Sequence, residues 1–385
     1  MFPACFTFGA MFCSLIAVVA TLVGGLQIIY LIAGLRALAG FKQDTVPEIP
    51  ENPAVSVIIC ARNEAHNLAL RLPAILAQSY PQFEVLVADD GSEDATPAVL
   101  AGLQQRFLNL RFRKIDAAEK PFPGKKGALQ VAVAEAAHDI LLFTDADCLP
   151  ASPYWIGEMT AALSKEKEIV VGYGPYEKTS GFLNLFIRAE TLWSFSQVKA
   201  FFRFGVVYMA VGRNLCVRKS TFLRASRHPI WNKTLSGDDD MLMRICATKQ
   251  NTAILGRAET KMASPAKDTW KSYRHQKQRH FSTGKYYRWP VKMLLAGLSG
   301  SHTLSWLLLP FVIFCFLKSP TLLVQAALGI FGLRTLLFYA VFYRQSRREK
   351  DPFPVWAPLV FDVALALYPI FFAPYIFWKN KDQWK

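Results

Sequence analysis

Long apolar runs at both ends of the chain constrain its fold more than any other feature. Residues 6–35 are apolar, with Gln27 as the main interruption. At about 1.5 Å per residue, a helix of that length crosses a bilayer. A cleaved signal peptide fits less well. The run is too long, no Lys or Arg leads it, and no clean small-x-small site follows. Three further apolar stretches occupy residues 291–317, 321–343 and 355–378, which predicts about four spanning helices. Pro310, Gly329, Gly332 and Pro369 are tolerated in such helices. Lys318-Ser319-Pro320 is a tight connection, so the second and third spans form a hairpin.

Lys and Arg set the orientation. Arg36, Lys42 and the basic segment 344–350 flank the spans on the side expected to be cytoplasmic. The N-terminus then lies outside and the soluble part inside. Lys379, Lys381 and Lys385 would fall outside, a mild violation that a re-entrant last span removes. Two charges lie inside spans, Arg334 in the third and Asp362 in the fourth, about 10–14 Å from the cytoplasmic boundary. Charges at that depth are expensive unless paired, which predicts an Arg334–Asp362 pair.

Between the spans the chain reads as a soluble α/β domain. Residues 41–54 form a Pro-containing polar linker. Strands are expected at 55–60, 84–88, 110–115 and 140–144, with helices at 65–78, 95–107 and 124–137. Short apolar strands alternating with amphipathic helices imply a mostly parallel sheet covered on both faces. The domains are therefore an N-terminal transmembrane helix (1–40), a soluble domain (41–290) and about three C-terminal transmembrane helices (291–385). Segments 182–204 and 271–290 mix aromatic and basic residues, as helices lying in the membrane interface do.

Ligands of such sheets bind beyond the carboxyl ends of the strands, and the polar motifs fall there. Asn63-Glu64 follows the first strand and Asp89-Asp90-Gly91-Ser92 the second. These groups can accept from a uracil N–H or from ribose hydroxyls. Asp145-Ala146-Asp147 ends the 140–144 strand. Two carboxylates one residue apart suit a hard divalent cation shared with a phosphate. Gly124-Lys125-Lys126-Gly127 opens a helix, where backbone N–H groups and ammonium groups suit a diphosphate. Gly237-Asp238-Asp239-Asp240 opens another. Mutual repulsion there raises at least one pKa, so that a carboxylate can deprotonate an acceptor hydroxyl. Gln276, Arg279 and His280 share one helix face, with Arg279 placed to contact a leaving phosphate.

The net charge of +15 suits a protein lying against anionic lipid and binding a diphosphate. The basic residues border apolar spans and match no nucleic-acid-binding motif, so no nucleic-acid partner is expected. Seven cysteines without C-x-x-C spacing imply neither a disulfide frame nor a zinc site.

In this order the motifs resemble the family 2 glycosyltransferases, inverting enzymes with a GT-A nucleotide-sugar domain. The likeness covers residues 53–290. It implies nucleoside contacts at Asn63, Glu64, Asp89 and Asp90, and a basic residue near the nucleotide at Lys126. It implies an Asp145/Asp147 pair holding the diphosphate through Mg²⁺ or Mn²⁺. Gly212, Arg213 and Asn214 would lie beside the donor sugar and acceptor. The general base would be Asp238 or Asp239: Arg244 as reference favours the first, Leu242 the second. Residues 276–280 resemble the Q-x-x-R-W motif of membrane synthases, with His280 in place of Trp. That departure argues against polymer extension. The expected activity is metal-dependent transfer of a sugar, UDP-linked, to a lipid or membrane-presented saccharide acceptor at the cytoplasmic face of the cell membrane. The alternatives are a processive polysaccharide synthase and a non-catalytic nucleotide-sugar-binding membrane protein. A transporter is disfavoured, because about four spans with one polar pair offer little pathway.

Overall fold

The computed structural model describes residues 3–40 and 52–377, with 3–8 and Gly40 by backbone alone. Residues 41–51, most of the linker, and the last lysines lie outside the described residues. Two compact units emerge. One comprises the N-terminal helix and Arg288–Pro374; the other runs to Tyr287 and takes up the chain again from Tyr375.

The second unit is built on a seven-stranded sheet. Its first half alternates as the sequence predicts: β1 (Val55–Ala61), α2 (Ala65–Leu76), β2 (Phe83–Asp89), α3 (Thr96–Arg106), β3 (Leu110–Lys114), α4 (Lys125–Glu135) and β4 (Ile140–Asp145), with α1 reserved for the N-terminal helix. Then come β5 (Leu149–Pro150), α5 (Trp155–Thr160), β6 (Ile169–Gly172), α6 (Phe182–Arg203), β7 (Leu215–Arg218), α7 (Lys219–Ser226), α8 (Asp238–Cys246), β8 (Thr252–Leu255), β9 (Met262–Ala263) and α9 (Trp270–Ser282). The strand order is β3-β2-β1-β4-β7-β6-β8, with β5 and β9 forming a separate pair. Strands β3, β2, β1 and β4 run parallel, and β7 enters antiparallel to both β4 and β6.

Every residue of β1 is buried, which explains why all of it but Ser56 is apolar: helices cover both sheet faces. Val57, Ile59, Val85, Val87 and Leu142 join Leu68, Leu72 and Leu100 of the helices in one core. Register then places the polar motifs. Ala61 pairs with Asp89, and Cys60 pairs with Asp145. The carboxyl ends of three adjacent strands therefore finish level, each handing a polar residue to the same edge.

The other unit is helical: α1 (Pro3–Gly40), α10 (Trp289–Lys318), α11 (Leu322–Arg348) and α12 (Ala357–Phe372). Four helices, the last extended to Phe377, are long and apolar enough to cross a membrane. Small residues allow close approach, as membrane packing favours: a Cβ at Gly24 would sit 2.6 Å from Ile330 Cγ2. The expected charge pair is present. Arg334 Nη1 and Nη2 donate to Asp362 Oδ2 and Oδ1, each at 2.7 Å, and His302 Nε2 lies 2.8 Å from Asp362 Oδ1. The expectation that the cysteines form no disulfide is corrected. Cys13 of α1 and Cys315 of α10 are bonded, with Cα atoms 5.3 Å apart. Helix packing joins positions that no spacing rule connects.

Candidate active site

Asp145 is the last residue of β4, and Asp147 follows in the turn. Their carboxylates and the Cys148 thiol offer atoms within 4.8 Å of one another. Burial, then the charges of Asp145 and Asp147, push the Cys148 thiol far up, so it keeps its proton and offers no thiolate. The usable donors are carboxylate oxygens, which fits Mg²⁺ or Mn²⁺ better than a thiophilic metal. Burial followed by the Asp145 charge raises Asp147 above the usual carboxylate range. That is the electrostatic condition a divalent cation relieves.

Cationic groups gather around the pair. Lys125 Nζ bonds Asp145 Oδ1. Burial opposes charge on Lys125, but Asp145 and then Asp238 outweigh it and hold the ammonium form. Burial likewise works against ionised Asp145, and Lys125, Arg213 and Arg279 together pull it below its ordinary value. Arg213 is itself buried, stacked with its guanidinium carbon 4.5 Å from the Tyr176 ring centre, and donates to the Gly174 carbonyl. Gln276 Nε2 donates to Tyr176 Oη at 3.1 Å, which brings α9 to the same place. His280, one turn on, is exposed.

At β2, Asp89 Oδ1 accepts from Ser92 N at 2.9 Å, and Asp90 Oδ1 bonds Lys120 Nζ at 2.6 Å. The second oxygen of each is buried without a hydrogen-bond partner. Buried acceptors in that state are uncommon and point to a missing donor.

The acidic triplet opens α8. Gly237 precedes it at φ +74°, a conformation that favours glycine. Asp239 is tied down: its Oδ2 accepts from Gly212 N at 2.8 Å and its Oδ1 from Asp240 N at 2.9 Å. Burial, then Asp238, lifts Asp239 to about 6. Asp240 points inward to Thr283 and Tyr287. Asp238 is half-buried, acts electrostatically on Lys125, and has no hydrogen-bond or ion-pair partner among the described residues.

The remaining expected site residues take the following places. Lys126 is fully buried and donates to the carbonyls of Trp231 and Thr234, both at 2.9 Å. Its neighbour Lys125 is the one that meets Asp145. Asn214 is also fully buried, bonded to Trp155 Nε1 and to the carbonyls of Tyr173 and Thr260. Its polar atoms are committed inside the protein. Gly212 contributes its N–H to Asp239. Asn63, at φ +56°, bonds Ser92 and Glu93, while Glu64 bonds Thr96 and Asn67. Both lock the loops after β1 and β2 together. Lys120 and Tyr176 are additions that no local motif signals.

Comparison with known proteins follows the same lines. The profile of Glycosyl transferase family 2 matches residues 56–223, and that of Glycosyl transferase family group 2 matches residues 147–372, more than half of the chain. Glycosyltransferase AglE of Haloferax volcanii is 31% identical over 189 residues, covering 49% of this chain and 59% of that protein. A beta-monoglucosyldiacylglycerol synthase of Synechocystis is 31% identical over 126 residues, covering 30% of this chain and 26% of that one. Among solved structures, the mannosyltransferase PcManGT of Pyrobaculum calidifontis, in complex with GDP-Man and Mn²⁺, superposes with a TM-score of 0.56. It is 19% identical, and the match covers 91% of this chain and 99% of that one.

Proposed function

We propose that this chain, which belongs to the family 2 glycosyltransferases, moves a sugar from a nucleoside diphosphate to a membrane lipid or membrane-presented saccharide with inversion at the anomeric carbon. The observation that carries the reading is the meeting of Asp145, Asp147, Lys125, Arg213 and Arg279 at the strand ends, with the unpartnered Asp238 electrostatically coupled to Lys125.

Asp89 and Asp90 accept from the nucleoside through the oxygens they leave unpaired. Asp145 and Asp147 would hold Mg²⁺ or Mn²⁺, which would supply charge neutralisation for the diphosphate. Lys125, Arg213 and Arg279 add fixed positive charge, so that negative charge developing on the leaving group meets a prepared environment. Asp238 takes the proton of the acceptor hydroxyl. That oxygen bonds to the anomeric carbon, the bond to the diphosphate oxygen breaks, and the nucleoside diphosphate departs with the electron pair. Asp239 is too firmly bonded to Gly212 to serve as freely as Asp238.

A lipid acceptor is supported by the apolar helices and by the relative named for a diacylglycerol product. A UDP-linked donor follows from the expected nucleoside contacts, whereas the solved neighbour holds GDP-Man. The flanking Lys and Arg support a multi-pass protein of the cell membrane, with residues 41–290 as a cytoplasmic catalytic domain.

The test uses full-length protein in lipid vesicles, Mn²⁺ or Mg²⁺, and UDP- and GDP-sugars, with lipid products read by mass spectrometry. One sugar added per acceptor is expected. Asp147→Asn, Asp238→Asn and chelation should each lower transfer about 10²–10⁴-fold, the range of a lost catalytic group. Nucleotide binding without turnover would replace this reading with a binding protein, and long chains would replace it with a processive synthase.

A further inference from the structure

We infer that Asp240 is a positioning residue for the transfer, holding Asp238 in register with the cationic face of α9. The inference rests on Asp238 being the base.

Asp240 lies two residues after Asp238 in the first turn of α8 but is buried. Its Oδ2 accepts from Thr283 Oγ1 at 2.5 Å, and its Oδ1 accepts from Tyr287 Oη at 3.2 Å. Among the described residues no cation pairs with it. An acidic residue at a helix N-terminus gains its dipole benefit at the surface. Burying one without a cation is costly unless its hydrogen bonds do something specific. Here those bonds reach the turn Thr283–Tyr286 and the residue after it, directly beyond α9. Helix α9 carries Gln276, Arg279 and His280.

Three further contacts close the same seam. A Cβ on Gly237 would lie 2.4 Å from Thr283 Cγ2, so the loop before Asp238 rests directly on Thr283. Tyr286 Oη donates to Lys233 O at 2.7 Å, and Arg244 donates to the Tyr286 carbonyl. The first turn of α8 is thus bound to residues 283–287 before it, within it and after it. The base and the Arg279 face cannot drift independently. Displacement of a reacting group by about 1 Å can cost on the order of 100-fold in rate.

The experiment compares wild type, Asp240→Ala, Asp240→Asn and the double variant Thr283→Val/Tyr287→Phe, full-length in vesicles. The double variant removes the donors and leaves α8 intact, so it decides the matter should Asp240→Ala not fold. For Asp240→Ala and the double variant, kcat should fall about 10- to 100-fold while donor KM stays within about twofold. Asp240→Asn, which keeps an acceptor oxygen for Thr283, should recover most of the loss. A folded double variant with wild-type kcat overturns the inference while leaving Asp238 as base, provided Asp238→Asn is inactive. A fully active Asp238→Asn overturns the base assignment, and this inference with it.

Discussion

The two units bury carboxylates in opposite ways. Between α10, α11 and α12, Asp362 is saturated: both oxygens meet Arg334, and one also meets His302. At the sheet edge, Asp89 and Asp90 each leave an oxygen unpaired, and Asp238 has no partner among the described residues. The contrast separates two purposes. A charge that completes its bonds inside the protein holds helices in place; one left incomplete has acceptor capacity still to fill. Charge inside the apolar helices is therefore not in itself a sign of a substrate path.

The largest effect should come from breaking the saturated cluster. Asp362→Ala strands the buried guanidinium of Arg334 and should cost about 3–5 kcal/mol. Thermal unfolding in detergent would show it, while Asp238→Asn should leave that transition unmoved. Equal losses in both variants would erase the distinction drawn above. Next comes the lysine pair. Lys126→Ala removes two buried charge-assisted bonds and should lower stability by about 1.5–3 kcal/mol. Lys125→Ala should spare stability and lower transfer instead. A reversal of those two phenotypes would return the nucleotide-side role to Lys126.

The smallest effect concerns pH. Asp239 sits at about 6, lifted by burial and then by Asp238, against about 3.9 in an unfolded chain. The native state thus binds this proton more tightly, so its contribution to stability is present below about 4 and is lost as pH rises toward 6. Urea midpoints of metal-free protein should show a shallower loss over that window in Asp239→Asn. Superimposable curves would contradict the shifted carboxyl.

Strands β1, β2 and β4 were legible because each is a largely apolar run ending in a polar group, whereas β3 alternates Arg with Leu and Phe. Which neighbour faces the site was not. Arg213 and Asn214 lie in the turn just before β7, where no strand or helix period says which side chain faces the site. One meets the acidic pair and the other the interior. Lys125 and Lys126 separate similarly, about 100° apart around a helix. The Arg334–Asp362 pair could be foreseen because isolated charges in apolar helices must find each other. His302 could not, since nothing in the local sequence marks it as the third member of the cluster. Asp240 reads as one more helix-opening acid until Thr283 and Tyr287 are seen against it.

The Cys13–Cys315 bond, across a sequence separation of 302, encloses every strand of the sheet within one covalent ring. A single cut anywhere between Gly40 and Val55 would leave two fragments that migrate together until a reductant parts them. The ring can close only after both α1 and α10 have been made and brought side by side, so the bond records the meeting of those two helices.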